Sequence, residues 1–112
     1  DDHADVLGRA VHCVMDRPLG SRHPRYPDML YPVNYGCVPG VMAGDGAEQD
    51  VYVLGPTAPL ETFDGVVIAV IHRFDDCEDK WVVAEAGARY TAEDIRAAVA
   101  FQEKYYRSEI LL

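Results

Sequence analysis

Over the first 84 residues, apolar and polar positions alternate or form short apolar runs, a pattern typical of β-strands. Residues 9–15 alternate weakly, whereas residues 51–54, 66–72 and 81–84 are apolar runs rich in β formers. Residues 31–40 mix β formers with Pro and Gly, which indicates a strand with a bent backbone. We therefore expect at least four short strands, with residues 21–28 as a loop between them.

The last segment changes to a helical period. Thr91 is a candidate N-cap, with Asp94 three residues later in a weaker form of the capping box. The residues that then recur near helical spacing are Ile95, Val99, Tyr106 and Ile110. This pattern predicts an α-helix over residues 92–107. A mainly β chain with one C-terminal helix fits an OB-like five-stranded β-barrel of the α+β class, in one domain over residues 1–112.

Composition narrows the class of protein. A formal net charge of −9 argues against a nucleic-acid surface, because phosphate backbones are bound by clustered Lys and Arg. No apolar run approaches the roughly 20 residues that span a bilayer. Cys13, Cys37 and Cys77 lack the spacing of a metal site or a disulfide framework, so we expect reduced thiols. The sequence opens without a signal segment, so we expect a cytoplasmic protein.

Two acidic loops precede apolar runs. Asp45 and Asp50 bracket a Gly-containing turn, and two carboxylates on a tight loop can converge on a hard cation, which prefers oxygen ligands. The second loop holds acids that repel one another unless a cation or solvent intervenes, namely Asp75, Asp76, Glu78 and Asp79. The alternatives are an Asx-turn at Asp45 and a solvated acidic hairpin in the second loop.

Phenolic and cationic side chains supply groups that bind phosphate. Phenols donate hydrogen bonds to phosphoryl oxygens without adding charge, although the alternative for each tyrosine is a half-buried core position. The cations available for a phosphate clamp are Arg17, Arg22, Arg25, Lys80 and Arg107. No nucleophile motif, Walker loop or GxGxxG is present, which leaves metal-assisted attack by water as the chemistry to expect.

Two motifs carry a resemblance to a known family. The stretch Tyr31-Pro32-Val33-Asn34-Tyr35-Gly36, followed by Gly44-Asp45-Gly46-Ala47-Glu48-Gln49-Asp50-Val51, resembles the core signature of the family I soluble inorganic pyrophosphatases. The resemblance implies metal ligands at Asp45, Asp50, Asp79 and either Asp75 or Asp76, of which we take Asp76. It also implies substrate contacts from Tyr35, Tyr105 and Lys80, with Arg22, His23 and Arg25 as candidates for the family's phosphate-binding Arg.

The departures from the family pattern mark a short, divergent branch. The acid that orients or deprotonates water in the family is Ala47 here, so the resemblance leaves Asp50, Tyr35 and the adjacent Glu48 as catalytic candidates. Lys80 matches the family's phosphate-binding Lys only if one residue is deleted before it; without that gap, Trp81 falls at the position.

The resemblance implies Mg²⁺-dependent hydrolysis of inorganic pyrophosphate, with Mn²⁺ as the other metal that oxygen ligands permit, in a homo-oligomer with no nucleic-acid or membrane partner. Three alternatives stay open. Loss of the acid at Ala47 favours a non-catalytic metal and phosphate or nucleotide sensor. The same loss with an altered basic loop favours a phosphohydrolase of another substrate, and the barrel alone is compatible with a structural or oligonucleotide-binding module, against which the charge counts.

Overall fold

A computed structural model of the chain describes residues 5–43, 46–74 and 79–112. Within these ranges six strands and one helix follow one another, with the helix between the fifth and sixth strands. In chain order they are β1 Ala10–Arg17, β2 Asn34–Met42, β3 Glu48–Val53, β4 Thr62–Arg73, β5 Asp79–Ala84, α1 Ala92–Glu103 and β6 Ser108–Leu111.

Five strands close into a barrel. They are hydrogen-bonded in the order β1-β2-β3-β5-β4, and an additional pairing of β1 with β4 completes the ring. The β3–β5 pair is parallel and the other pairs are antiparallel. Closure leaves these five strands without an open edge, which removes unpaired backbone groups from the sheet. The predicted mainly β, OB-like barrel with a C-terminal helix is confirmed.

Strand alternation divides the apolar side chains between two cores. One face of the strands fills the barrel, where Val51, Val67 and Val83 pack around Trp81. The other face lies under α1, where Tyr52, Ile71 and Val82 meet the buried helix residues Ile95 and Val99. The helix therefore covers the outside of the barrel wall, and side chains from alternate strand positions emerge beside it.

The capping box at the start of α1 is confirmed, but the predicted end of the helix is wrong. The Asp94 backbone N–H donates to Thr91 Oγ1 (3.1 Å), and the Thr91 N–H donates to Asp94 Oδ2 (3.0 Å). The helix ends at Glu103, and Tyr106 lies in the turn that follows. Ile110, which kept the helical spacing, pairs instead with Ile71 of β4. Strand pairing of the last residues is a non-local contact that the helical period cannot reveal.

Ile110 and Leu111 pack against the two cores of the same chain, so this apolar tail covers its own barrel. Within the described ranges, no helix has both the length and the apolar character needed to cross a membrane. Cys13 and Cys37 are free thiols, as expected, and burial is the main cause that raises the pKa of each to about 11. Cys77 lies outside the described residues.

Gly36 allows the close approach of β1 and β2, and its replacement tests the barrel. It pairs with Met15, and a Cβ at this position would lie 2.0 Å from the Val14 carbonyl oxygen. We expect Gly36→Ala to lower the free energy of unfolding by about 1–3 kcal/mol or more, because the backbone itself must move. Urea denaturation measures the loss. Thr62→Ala, at an exposed position of β4 opposite Val14, is the control and should cost less than about 1 kcal/mol. Equal losses for the two variants would contradict the close approach.

Candidate functional site

A cavity of about 960 Å³ opens on the outer face of the barrel, between the loop of residues 18–33 and the end of α1. Five of the ten Lys and Arg residues of the chain line it, against one carboxylate among the described lining residues. The lining cations are Arg17, Arg25, Arg73, Lys80 and Lys104. A chain with a net charge of −9 therefore gathers half of its basic residues around one cavity.

Strand alternation decides which residue at the start of β5 reaches the cavity. Lys80 lines the cavity, whereas the next residue, Trp81, packs inside the barrel. Neighbours on a strand point to opposite faces, so only one of the two can face α1. The structure thus puts Lys80, not Trp81, on the cavity wall, and its contact with phosphate stays a prediction.

Lys80 is fixed by two neighbours. The parallel register of β3 and β5 brings Asp50 beside it, and Lys80 Nζ donates to Asp50 Oδ2 (2.5 Å) and to the Tyr35 hydroxyl oxygen (3.1 Å). The Lys80 side chain is only 5% exposed. A buried ammonium is costly without a paired carboxylate, so Asp50 stabilises the charged form of Lys80.

Tyr35 is held as a neutral phenol. Burial raises its pKa to about 12, although the nearby Lys80 ammonium acts in the opposite direction. The hydroxyl accepts a hydrogen bond from Lys80 and retains its own proton at neutral pH. Tyr35 can therefore donate a hydrogen bond to an anion in the cavity.

Arg73, at the end of β4, is clamped by Glu103 at the end of α1. Arg73 Nε donates to Glu103 Oε1 (2.9 Å) and Nη2 donates to Oε2 (2.5 Å). The Tyr106 ring covers the guanidinium, with 3.8 Å between Arg73 Cζ and the ring centroid. Both charged side chains are about 95% buried, so each depends on the other for compensation of its charge.

The Glu103 carboxylate also begins a chain of hydrogen bonds that crosses the layer between barrel and helix. Tyr52 donates to Glu103 Oε2 (2.6 Å), and Gln102 Nε2 donates to the Tyr52 hydroxyl oxygen (2.8 Å). Tyr31 donates to Gln102 Oε1 (3.0 Å), and Arg17 Nη1 donates to the Tyr31 hydroxyl oxygen (2.6 Å). Burial, and then the Glu103 charge, raise the pKa of Tyr52. We call this set the Glu103 network: Arg17, Tyr31, Tyr52, Arg73, Gln102 and Glu103.

The remaining sequence candidates for substrate binding separate into two groups. His23, Arg25 and Tyr105 line the cavity, and Tyr105 follows the helix instead of lying within it. Arg22 is absent from the described lining residues, and its Nη1 donates to the Pro27 carbonyl oxygen (2.8 Å). Of the basic candidates in this loop, the geometry favours His23 and Arg25.

The candidate acids in the described part of the chain have different partners. Asp79 Oδ1 is 2.7 Å from His72 Nδ1, and the Glu48 carboxylate accepts from the Gly40 N–H (2.9 Å). Asp45 and Asp76 lie outside the described residues. Among the described residues no group of three or more His, Cys, Asp or Glu side chains is arranged to hold a metal ion. The ligand set inferred from the sequence therefore stays a prediction.

Sequence reasoning missed several residues of the site. Arg73 closes an apolar run, and its alternation with Ile71 would have placed it on the helix-facing side of β4. Gln102 and Glu103 lie just before Tyr105 and Tyr106, but no local pattern marks their partners, which lie 71 residues (Tyr31) and 51 residues (Tyr52) away. The sequence identifies Arg17 only as one of several cations that could bind phosphate, and no sequence pattern distinguishes Lys104.

Comparisons with known proteins agree with the sequence resemblance. The model of the inorganic pyrophosphatase family matches residues 14–106. An inorganic pyrophosphatase of Aeropyrum pernix is 40% identical over 53 residues, a match that spans 46% of this chain and about 30% of the length of that curated relative.

Solved structures show the same fold. An inorganic pyrophosphatase from Neisseria gonorrhoeae is similar with a TM-score of 0.63 at 25% identity, over 93% of this chain and 81% of that chain. The inorganic pyrophosphatase from Ehrlichia chaffeensis gives a TM-score of 0.69 at 17% identity, over 97% and 86% of the two chains.

The Arg73–Glu103 pair gives a stability prediction. We expect Glu103→Ala to lower the free energy of unfolding by about 3–5 kcal/mol, because it removes the buried carboxylate to which the Arg73 guanidinium donates two hydrogen bonds. Glu93→Ala, an exposed acid on the first turn of the same helix, is the control and should cost less than about 1 kcal/mol. Chemical denaturation compares the two, and similar small losses would show that the buried pair is unimportant for stability.

His23 gives a prediction that reports on an anion in the cavity. Burial and the Arg17 and Arg25 charges lower its pKa below the usual 6.5, and its Nδ1 accepts from the Arg25 backbone N–H. A bound polyanion offsets those cations and favours imidazolium, so the pKa of His23 should rise when ligand binds. Titration of the ring protons by NMR, with and without imidodiphosphate, measures this shift. An unchanged pKa in the saturated protein would place the anion away from His23.

Proposed function

The chain belongs to the inorganic pyrophosphatase family, and on this premise we propose that it hydrolyses inorganic pyrophosphate with the help of a divalent cation, Mg²⁺ or Mn²⁺. The observation that carries the proposal is the basic cavity in which Lys80 lies between Tyr35 and Asp50. In the reaction a water oxygen bonds to one phosphorus and the bridging P–O bond breaks. The electron pair stays on the leaving phosphate, and the two protons of water end on the two phosphates.

The cavity offers substrate contacts of two kinds. Lys80, Arg17 and Arg25 supply positive charge, and Tyr35 supplies a neutral donor. We assign substrate binding to Lys80, Tyr35, Tyr105, His23 and Arg25, with Arg73 added from the structure. Because Lys80 and Arg73 are held by acids on neighbouring elements, their positions are set before substrate arrives.

The donor chemistry fits a hard cation. The sequence candidates are Asp45, Asp50, Asp76 and Asp79, which offer carboxylate oxygens without thiolate ligands. Of the two that the structure describes, Asp50 lies beside the cavity next to Lys80, and Asp79 pairs with His72. A divalent cation, when bound, neutralises phosphoryl oxygens and lowers the pKa of water. The family is generally metal-dependent, which supports assigning these four residues as ligands.

The attacking water must lose a proton, and three residues are compared as its acceptor. Ala47 cannot accept it, and both oxygens of Glu48 face β2, one towards the Gly40 N–H and the other towards Cys37 Sγ (3.7 Å). The Asp50 carboxylate is the better-placed acceptor because it lies beside the cavity residues Lys80 and Tyr35. We therefore assign proton handling to Asp50, with Glu48 in reserve.

The absence of an acid at Ala47 also favours a second function. If no group replaces the missing acid, the chain is a non-catalytic protein that binds metal and phosphate. Loss of a positioned general base costs about 10²–10⁴-fold in rate, while charge and hydrogen-bond contacts to the anion persist. For both functions we propose a cytoplasmic homo-oligomer.

Phosphate release from pyrophosphate separates the two functions. With Mg²⁺, we expect measurable turnover that Asp50→Asn lowers by at least about 10²-fold, because it removes both a metal ligand and the proposed proton acceptor. Asp64→Asn, which changes an exposed acid paired with His12, is the matched control and should keep wild-type activity.

The variant Ala47→Asp completes the test. An inactive wild type with an active Ala47→Asp variant would establish a binding protein that has lost its base. Full activity of Asp50→Asn would overturn the assignment of Asp50. Inactivity of all variants, with no thermal stabilisation by imidodiphosphate, would overturn the proposed function.

A further inference from the structure

Gln49 is a buried polar residue on the barrel-facing side of β3, where its neighbours Val51 and Val53 are apolar. It is only 4% exposed, and it is not among the described residues that line the cavity. A buried amide in an apolar row is informative, because it must be held by hydrogen bonds. Gln49 Nε2 donates to the main-chain carbonyl oxygens of Asp50 (3.0 Å) and Asp79 (2.7 Å). One side chain therefore joins the start of β3 to the start of β5.

The link lies at the end of the pairing between these two strands. β3 and β5 are parallel, and their Cα pairing begins with Val51 and Trp81. Asp50 and Lys80 each lie one residue before this first pair. Paired elements open most easily at their ends, where fewer backbone contacts hold them. The Gln49 amide therefore limits the separation of the strand starts at the point where Asp50 meets Lys80.

That separation sets the geometry of a charged pair in the cavity. Lys80 Nζ donates to Asp50 Oδ2 (2.5 Å) from the neighbouring strand. Gln49 holds the Asp50 main chain directly, and it holds Lys80 through the carbonyl group of the preceding residue, Asp79. Groups that orient a metal ligand from behind contribute to the affinity for the metal, because the ligand is then fixed before the metal binds.

We propose that Gln49 is a positioning residue for the hydrolysis. Its amide holds the starts of β3 and β5 at the spacing at which Asp50 binds a divalent cation beside Lys80. The proposal rests on the proposed function, and it adds a residue that the sequence motifs do not identify. Gln49 touches neither the cation nor pyrophosphate, and it acts only through the main chain of Asp50 and Asp79.

Removal of the amide tests this role. Gln49→Met keeps the length of the side chain and removes both N–H donors, and Gln49→Leu, an apolar residue like Val51 and Val53, is a second variant in case the first does not fold. EPR spectroscopy of Mn²⁺, titrated without substrate, measures the affinity for the cation. We expect each variant to raise the Kd of Mn²⁺ about tenfold, as loss of a group that orients a metal ligand does.

Turnover should show the same separation. The Mg²⁺ concentration for half-maximal phosphate release should rise about tenfold in the Gln49 variants. Saturating Mg²⁺ holds Asp50 in place of the missing amide, so kcat should stay within about threefold of the wild type. Val67→Ala is the matched control, because it destabilises the barrel core at a residue that is 1% exposed and has no contact with the Gln49 amide. It should keep the wild-type Kd of Mn²⁺.

The outcomes separate this proposal from the proposed function. A higher Kd in the Gln49 variants, with Val67→Ala at the wild-type value, supports the positioning role. An unchanged Kd in a folded Gln49 variant that still releases phosphate overturns that role and leaves the proposed function standing. A rise of the same size in Val67→Ala would assign the effect to a general loss of stability and also overturn it. A wild type that neither binds Mn²⁺ nor releases phosphate overturns both proposals.

Discussion

The ion pair between Arg73 and Glu103 joins the barrel to its helix, and the cavity depends on it. Both side chains are buried, so each charge is strongly stabilised by the other. Glu103 also accepts a hydrogen bond from Tyr52, which ties the end of α1 to β3 as well as to β4. Tyr106 then covers the guanidinium after the chain leaves the helix. The interaction that holds the two layers together therefore also builds the wall against which a substrate would lie.

Charge compensation explains how an acidic chain supports a basic cavity. Lys80 is paired with Asp50 and Arg73 with Glu103, so the two most buried cations bring their own counter-charges. This arrangement fixes the donors but reduces the net positive charge that a polyanion meets. Further charge must come from the more exposed lining cations and from any bound divalent ion. Pairing of Lys80 and Arg73 with carboxylates is thus consistent with the metal dependence that the family implies.

Local patterns were sufficient for most of the fold and for part of the site. Strand alternation and the Thr91 capping box are properties of neighbouring residues, and the structure contains both. The end of α1 was mispredicted because β6 forms by pairing with β4, a contact between distant segments. Alternation with Ile71 places Arg73 on the helix-facing side of β4, but its ion pair is also non-local, because Glu103 lies 30 residues away. Lys80 could be distinguished from Trp81 only once the facing of β5 was known.

Ala47 shows why fold and chemistry are separable in this chain. Its side chain is exposed, and its carbonyl oxygen accepts a hydrogen bond from the Ala43 N–H (2.7 Å) that any residue at position 47 could accept. The turn is held here by the backbone, so an acid could be replaced by Ala without loss of the barrel, the cavity or the Glu103 network. The fold therefore places little demand on the side chain at position 47, whereas it depends on the close approach at Gly36 and on the buried carboxylate of Glu103. The cavity and its cationic lining follow from the folded core, whereas the turnover we propose depends on whether Asp50 can do the work of an acid at position 47.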